Sequence, residues 1–285
     1  MGIVRKAPAK INLALHVVGR RADGYHLLDT LVTFARSGDE ITVEADECLR
    51  LAVRGPYGGT LAEDPDGNLV LRAARLLIEE AKRQGRGPLG ATIRLDKHLP
   101  VASGVGGGSA DAAATLLALN DLWALELPPA RLSELGLSLG ADVPMCLAGV
   151  PARVTGIGEH VTPVAPLPEH GLLLVNPRVP VSTPAVFRAL TRRDHPPLPD
   201  LPGEWRTLDH LVDWLHETRN DLQPPAEAIA ADVIEVMSVL QDVPGCRFAR
   251  MSGSGATCFA MFTTEAEAMA SRAAVSAAWP GWWVG

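Results

Sequence analysis

At 285 residues, 47% hydrophobic and 21% charged, the chain has the makeup of a folded protein with room for two moderate domains, which excludes the disordered and fibrous classes. A formal net charge of −7 excludes a general nucleic-acid binder, so any anionic ligand must meet a local positive patch. Cys48, Cys146, Cys246 and Cys258 lie far apart with no C-x-x-C pair, which points to a reducing, cytoplasmic setting rather than a zinc knuckle or disulfide framework. No apolar run approaches a membrane span, so no membrane is expected as a partner, and the acidic balance leaves no nucleic acid expected either.

From Ala7 to Val17 the odd positions are apolar, the period of a half-buried strand, with Lys10, Asn12 and His16 sharing the other face. Asn12 and His16 also interrupt the apolar stretch that a signal peptide would need. Residues 39–45 and 49–53 read as strands, and 55–66 as a turn-rich stretch. Asn68 caps a helix over 69–84, and a strand follows at 91–95. The Ala-rich run 110–125 and the segment 129–139 are helices, the second stopped by Gly140. Val143 precedes Pro144 and is pushed away from helical geometry, which puts Asp142 on a turn.

In the second half, 172–175 is a buried strand, and Thr183 with Pro184 opens a short helix carrying Phe187. Residues 192–203 form a Pro-rich surface excursion. Helices follow at 208–218 and 226–240, and strands at 246–250 and 257–262 flank Ser252-Gly253-Ser254-Gly255. Thr264 and Glu267 form a capping box for a last helix to about Ala278. A domain boundary is expected near residue 155, giving 1–155 and 156–285.

Pro100-Val101-Ala102-Ser103-Gly104-Val105-Gly106-Gly107-Gly108-Ser109-Ala110-Asp111 places four glycines directly ahead of a helix. Backbone N–H groups without flanking Cβ atoms approach an anion closely, and the helix N-terminus adds positive potential, so phosphate is the expected ligand. No Gly-Lys-Ser/Thr follows, Ser109 stands where a third dinucleotide-binding glycine belongs, and Asp111 breaks the nucleophile-elbow pattern of a Ser hydrolase. Asp111 itself is compatible with an intervening cation or with simple helix-dipole stabilisation. Further signals are Lys10 with Asn12 on one strand face, and Arg20-Arg21-Ala22-Asp23-Gly24-Tyr25-His26, where cations, a turn and two rings suit an anionic ligand with a planar base.

Three segments in order, Pro8-Ala9-Lys10-Ile11-Asn12, Pro100 to Ser109 and Ser252-Gly253-Ser254-Gly255-Ala256, resemble the motifs of the GHMP kinases. Within that family, Asp23-Gly24-Tyr25-His26, Gly140-Ala141-Asp142-Val143-Pro144 and Gly156-Ile157-Gly158-Glu159 are similar to the members that phosphorylate 4-diphosphocytidyl-2-C-methyl-D-erythritol in non-mevalonate isoprenoid synthesis. The resemblance implies an α+β, two-domain fold, ribosomal protein S5 domain 2-like at the N-terminus and a ferredoxin-like α/β sandwich at the C-terminus. It implies Asp142 as base and Lys10 as its catalytic partner. ATP would lie on Pro100, Ala102, Ser103, Gly104, Val105, Gly106, Gly107, Gly108, Ser109 and Ala110, with Asn68 and Lys97 towards adenosine and Ser109 contacting Mg2+. Substrate would meet Asn12, Thr183, Gly253 and Gly255, its cytidine stacked on Tyr25 and Phe187 and read at its edge by His26. A monomer or weak homodimer is expected. The competing readings are a kinase of homoserine, mevalonate or a sugar, and a noncatalytic nucleotide-binding module.

Overall fold

A computed structural model describes residues 2–59 and 67–285; the latter part of the turn-rich stretch expected at 55–66 lies outside the described residues. Two compact units interleave along the chain: one holds Met1–Lys10, Ala35–Val101 and Gly106–Val150, the other Ile11–Phe34, Ala102–Val105 and Pro151–Gly285. This differs from a single cut near residue 155. The reason is that the first two strands, β1 (Ile3–Arg20) and β2 (His26–Asp46), run for 18 and 21 residues, and each contributes to both units.

In the first unit, β4 (Gly90–Asp96) pairs antiparallel with the end of β2, from Glu40↔Asp96 to Asp46↔Gly90, and parallel with β3 (Arg50–Arg54). The helices are α1 (Leu69–Arg83), α2 (Gly107–Leu122), α3 (Pro129–Leu139) and α4 (Val143–Ala148). As expected, Asn68 caps α1, its side chain accepting the Val70 N–H at 2.9 Å. Helix α2 buries residues on most of its circumference, Ala110, Ala112, Ala113, Leu116 and Leu119 among them, because alanines let α1 and α4 approach its axis.

In the second unit, the start of β2 pairs antiparallel with β5 (Ala152–Gly156), which pairs with β6 (His160–Pro163). A second sheet runs β10 (Trp283–Val284), β7 (Gly171–Asn176), β9 (Cys258–Phe262), β8 (Phe248–Met251), all antiparallel. Around it lie α5 (Thr183–Ala189), α6 (Leu208–His216), α7 (Gln223–Ile229), α8 (Asp232–Asp242) and α9 (Glu265–Ala278), with α8 packed on β8 and β9 and α9 on β7. Val175, Val233, Val236, Leu240 and Phe262 meet in this core.

The capping box forms as expected, Thr264 accepting from the Glu267 N–H at 3.2 Å and Glu267 from the Thr264 N–H at 3.1 Å. Elsewhere local signals misplace a boundary. Ser182, not Thr183, occupies the cap position of α5, with Pro184 in the first turn. The helix expected at 226–240 is two helices, because Ala230 turns extended with no Gly or Pro to announce it.

The Pro-rich excursion has no regular structure, yet it is fastened down. The His195 N–H donates to Val17 O at 3.0 Å, the Leu198 N–H to Asp29 Oδ2 at 2.9 Å, and Arg153 Nη2 to Leu198 O at 3.1 Å. Asp29, 3% exposed, also accepts a two-pronged bond from Arg153 at 2.8 and 2.6 Å. Asp29→Ala strands a half-buried guanidinium and releases Leu198. It should cost about 3 kcal/mol in urea denaturation, and a loss within the roughly 0.5 kcal/mol of an ordinary surface change would show that the clamp contributes nothing.

Candidate active site

The period-two reading of β1 holds for its apolar positions but not for the opposite face, which is buried as well: Lys10, Asn12 and His16 are all interior. Burial of polar groups is tolerated only when they are paired. In the first unit, Lys10 Nζ lies 3.0 Å from Asp142 Oδ2, with the lysine side chain 5% exposed and the aspartate 40%. One partner is thus sunk and the other accessible. Asp142 stands immediately before α4. Val143, expected outside helical geometry, is the first residue of that helix, because a proline in the first turn forfeits only an N–H that has no acceptor there.

Gly106 precedes α2 with φ +64°, a left-handed conformation that favours glycine, and a Cβ there would stand 3.2 Å from Lys10 Cε and 3.8 Å from Asp142 Oδ2. The glycine loop, the lysine and the carboxylate therefore converge. Gly107, Gly108 and Ser109 form the first turn of α2, whose N–H groups have no acceptor within the helix, the arrangement by which a helix start can receive an anion.

Lys97 and Asp111 belong to a buried ion cluster. The Lys97 ammonium, buried, is bonded to Asp39 and, at 2.7 Å, to Asp111 Oδ2. A Cβ on Gly107 would come within 3.1 Å of it, so the cluster lies directly behind the start of α2. Asp39 also accepts the His98 and Leu99 N–H groups at 2.5 and 2.8 Å. Burial alone would lower Lys97, but the charges of Asp111 and Asp39 outweigh it and hold its pKa above the ordinary value. Two carboxylates share one cation. Burial, with Asp39 adding to it and Lys97 opposing, raises Asp111 to about 7, and its Oδ1 is buried without a hydrogen-bond partner.

In the second unit, the turn Ser252 to Gly255 packs against the neck of the glycine loop. Gly104, at φ +77°, has no room for a Cβ, which would meet Gly255 O at 2.6 Å, and the Thr257 N–H donates to Ser103 O at 3.2 Å. The Asn12 N–H donates to Ser252 Oγ at 3.0 Å and its side chain to Thr30 Oγ1 at 2.8 Å, while Thr183 Oγ1 and Ser254 Oγ share a 2.7 Å bond. Asn220 holds the turn from behind, donating to Met251 O and Gly253 O at 2.8 Å each.

Of the three rings expected around cytidine, His26 and Phe187 stack on each other, with centroids 4.8 Å apart and planes inclined 24°, and Tyr25 stands 59% exposed. Burial, then the Arg20 and Arg193 charges, lowers the His26 pKa, which leaves the ring neutral.

The GHMP kinases N terminal domain pattern matches residues 68–150, and the GHMP kinases C terminal pattern residues 187–281. The chain belongs to the GHMP kinases. It is 55% identical over 281 residues to the 4-diphosphocytidyl-2-C-methyl-D-erythritol kinase of Cereibacter sphaeroides, covering 98% of this chain and 96% of that one. It is 53% identical over 286 residues to the enzyme of the same name from Ruegeria pomeroyi, covering 99% and 98%. A crystal structure of 4-(cytidine 5'-diphospho)-2C-methyl-D-erythritol kinase matches with TM-score 0.77 at 36% identity, over 99% of this chain and 98% of that chain. The α+β, two-domain GHMP kinase fold expected from the motifs is the fold found.

Among the residues that hold the site together, Asp39 carries no spacing signal in the sequence. Asp111 supplies a pH test. Its pKa is raised from 3.8 in the unfolded chain to about 7 in the fold, so its contribution to stability is full below 3.8 and lost as pH rises through 7. Asn at this position does not titrate. The thermal stability of Asp111→Asn relative to the parent should therefore climb between pH 5 and pH 8, and a constant difference across that range would contradict the raised value.

Proposed function

We propose that the chain transfers the γ-phosphoryl group of ATP to the 2-hydroxyl of 4-diphosphocytidyl-2-C-methyl-D-erythritol, a step of non-mevalonate isoprenoid precursor synthesis. The observation that carries this reading is the 3.0 Å Lys10–Asp142 pair beside Gly106, in a chain alike over nearly its full length to kinases of that name.

Phosphoryl transfer asks mainly for positioning and charge neutralisation. In this reading Asp142 accepts the proton of the 2-hydroxyl as its oxygen bonds to the γ-phosphorus and the bond to the β,γ-bridging oxygen breaks, releasing ADP. Lys10, fixed by its burial, orients that carboxylate and stabilises charge on the attacking oxygen. Pro100, Ala102, Ser103, Gly104, Val105 and Ala110 shape the loop whose N–H groups at Gly106 to Ser109 receive the phosphates. Asn68 and Lys97 belong to the adenosine end. The Asn68 oxygen is occupied in capping α1 and the Lys97 ammonium in its carboxylates, so what they offer ATP is placement of backbone.

Among the described residues no cluster of three carboxylate, His or Cys side chains is built to hold a metal alone. The half-buried Ser109 hydroxyl in the first turn of α2 fits a Mg2+ ion carried mainly by phosphate oxygens. Mg2+ would supply neutralisation of the β- and γ-phosphate charge. Tyr25, His26 and Phe187 take the cytidine, and Asn12, Thr183, Gly253 and Gly255 the remainder of the substrate. Four free thiols support a reducing, cytoplasmic setting. Among the described residues no helix is long and apolar enough to cross a membrane.

An ADP-release assay over the diphosphocytidyl substrate, homoserine, mevalonate and galactose should show turnover with the first; preference for any other would overturn the assignment. Asp142→Asn should lower kcat by about 10²–10⁴-fold with ATP affinity retained, and full activity in that variant would remove Asp142 from the role of base.

A further inference from the structure

The steps above leave the Pro-rich excursion without a task, although four residues of the second unit fasten it. His16 is one of them: its Nε2 accepts the Arg219 N–H at 3.0 Å, so its Nδ1 donates to Pro196 O at 2.9 Å. Val17, Asp29 and Arg153 are the others. What this anchoring holds in place is the excursion's first turn, Arg192-Arg193, three residues beyond the end of α5, the helix that carries Phe187.

Arg193 Nε is buried with no hydrogen-bond partner, and among the described residues no carboxylate forms an ion pair with its guanidinium. Its charge reaches His26, as does that of Arg20, which spends only Nε, on Gly24 O at 3.2 Å. His26 Nε2, in the ring stacked on Phe187, is likewise buried and unpartnered. The charges of two guanidinium groups thus act on one imidazole, and among the described residues neither guanidinium is ion-paired to a carboxylate. A partly buried cation is tolerated when an anion completes it, and the guanidinium fork matches phosphate oxygens in pairs.

We propose that Arg193, together with Arg20, receives the diphosphate of the nucleotide substrate, which makes the excursion a specificity element for nucleoside diphosphates over nucleosides. The inference rests on the cytidine-pocket reading above. The base goes to the rings and the anion to the two arginines, so recognition of the two parts is separable.

Calorimetric titration of the full chain with cytidine and with cytidine diphosphate separates them. The parent should bind the diphosphate more tightly than cytidine, and Arg193→Met should weaken the diphosphate by about tenfold or more while cytidine and ATP affinities stay put. Unchanged ATP affinity certifies that the variant is folded, and Arg193→Lys should recover part of the loss. In turnover, the KM of the cytidylated substrate should rise with kcat nearly constant. Unaltered diphosphate affinity in the Met variant would overturn the proposal, as would parallel weakening of cytidine, which would make Arg193 a base or packing contact. Failure of both ligands to bind the parent protein would overturn the cytidine pocket itself and this inference with it.

Discussion

Strand β1 is buried on both faces, and the polar side chains it carries inward must be paired where they stand, because an unpartnered buried charge or amide is costly. Each pairing reaches a different functional element. The Lys10 side chain takes Asp142 at the start of α4, the Asn12 amide takes Thr30 while its backbone N–H takes Ser252 of the second glycine turn, and the His16 ring takes Pro196 of the excursion. The same desolvation that threatens the strand therefore organises the chemistry. A mobile, solvated lysine would be free to leave its carboxylate; one that is 5% exposed is held to it.

The glycine loop obeys a complementary rule, that close approach of backbone requires missing side chains. Gly106 makes room for Lys10 and Asp142, and Gly104 for the carbonyl of Gly255. Behind the helix start, Asp39, Lys97 and Asp111 form a charge cluster with one carboxylate in excess, which is poor stabilisation by itself. Its value is positional: Asp39 ties Lys97 to the His98–Leu99 backbone, and Asp111 ties it to α2 just past the first turn. The segment after β4 and the start of α2 are thereby locked together.

In the second unit, buried hydrogen bonds to irregular backbone take the place of regular secondary structure. Asn220 satisfies two carbonyls of the second glycine turn, and Asp29 with Arg153 satisfies both groups of Leu198 in a segment whose prolines lack donors. Such segments are ordered by side chains that reach them from elsewhere in the unit.

What the amino-acid sequence by itself determined are the features set within a turn or two of chain. Helix α3 begins and ends where Pro129 and Gly140 indicate, Asn68 and Thr264 cap as their side chains allow, and the glycine-rich segment leads into the Ala-rich helix α2. The family motifs extended that reading to Lys10 and Asp142. Tertiary structure alone decided that β1 is buried on both faces, that Lys97 pairs with Asp39 across 58 positions, that His26 lies on Phe187, and that Ala230 breaks a helix. The physical reason is range. Capping and periodicity act through neighbours in sequence, whereas desolvation and charge pairing depend on what the fold brings alongside, and no spacing rule specifies which of the chain's carboxylates will meet a given buried cation.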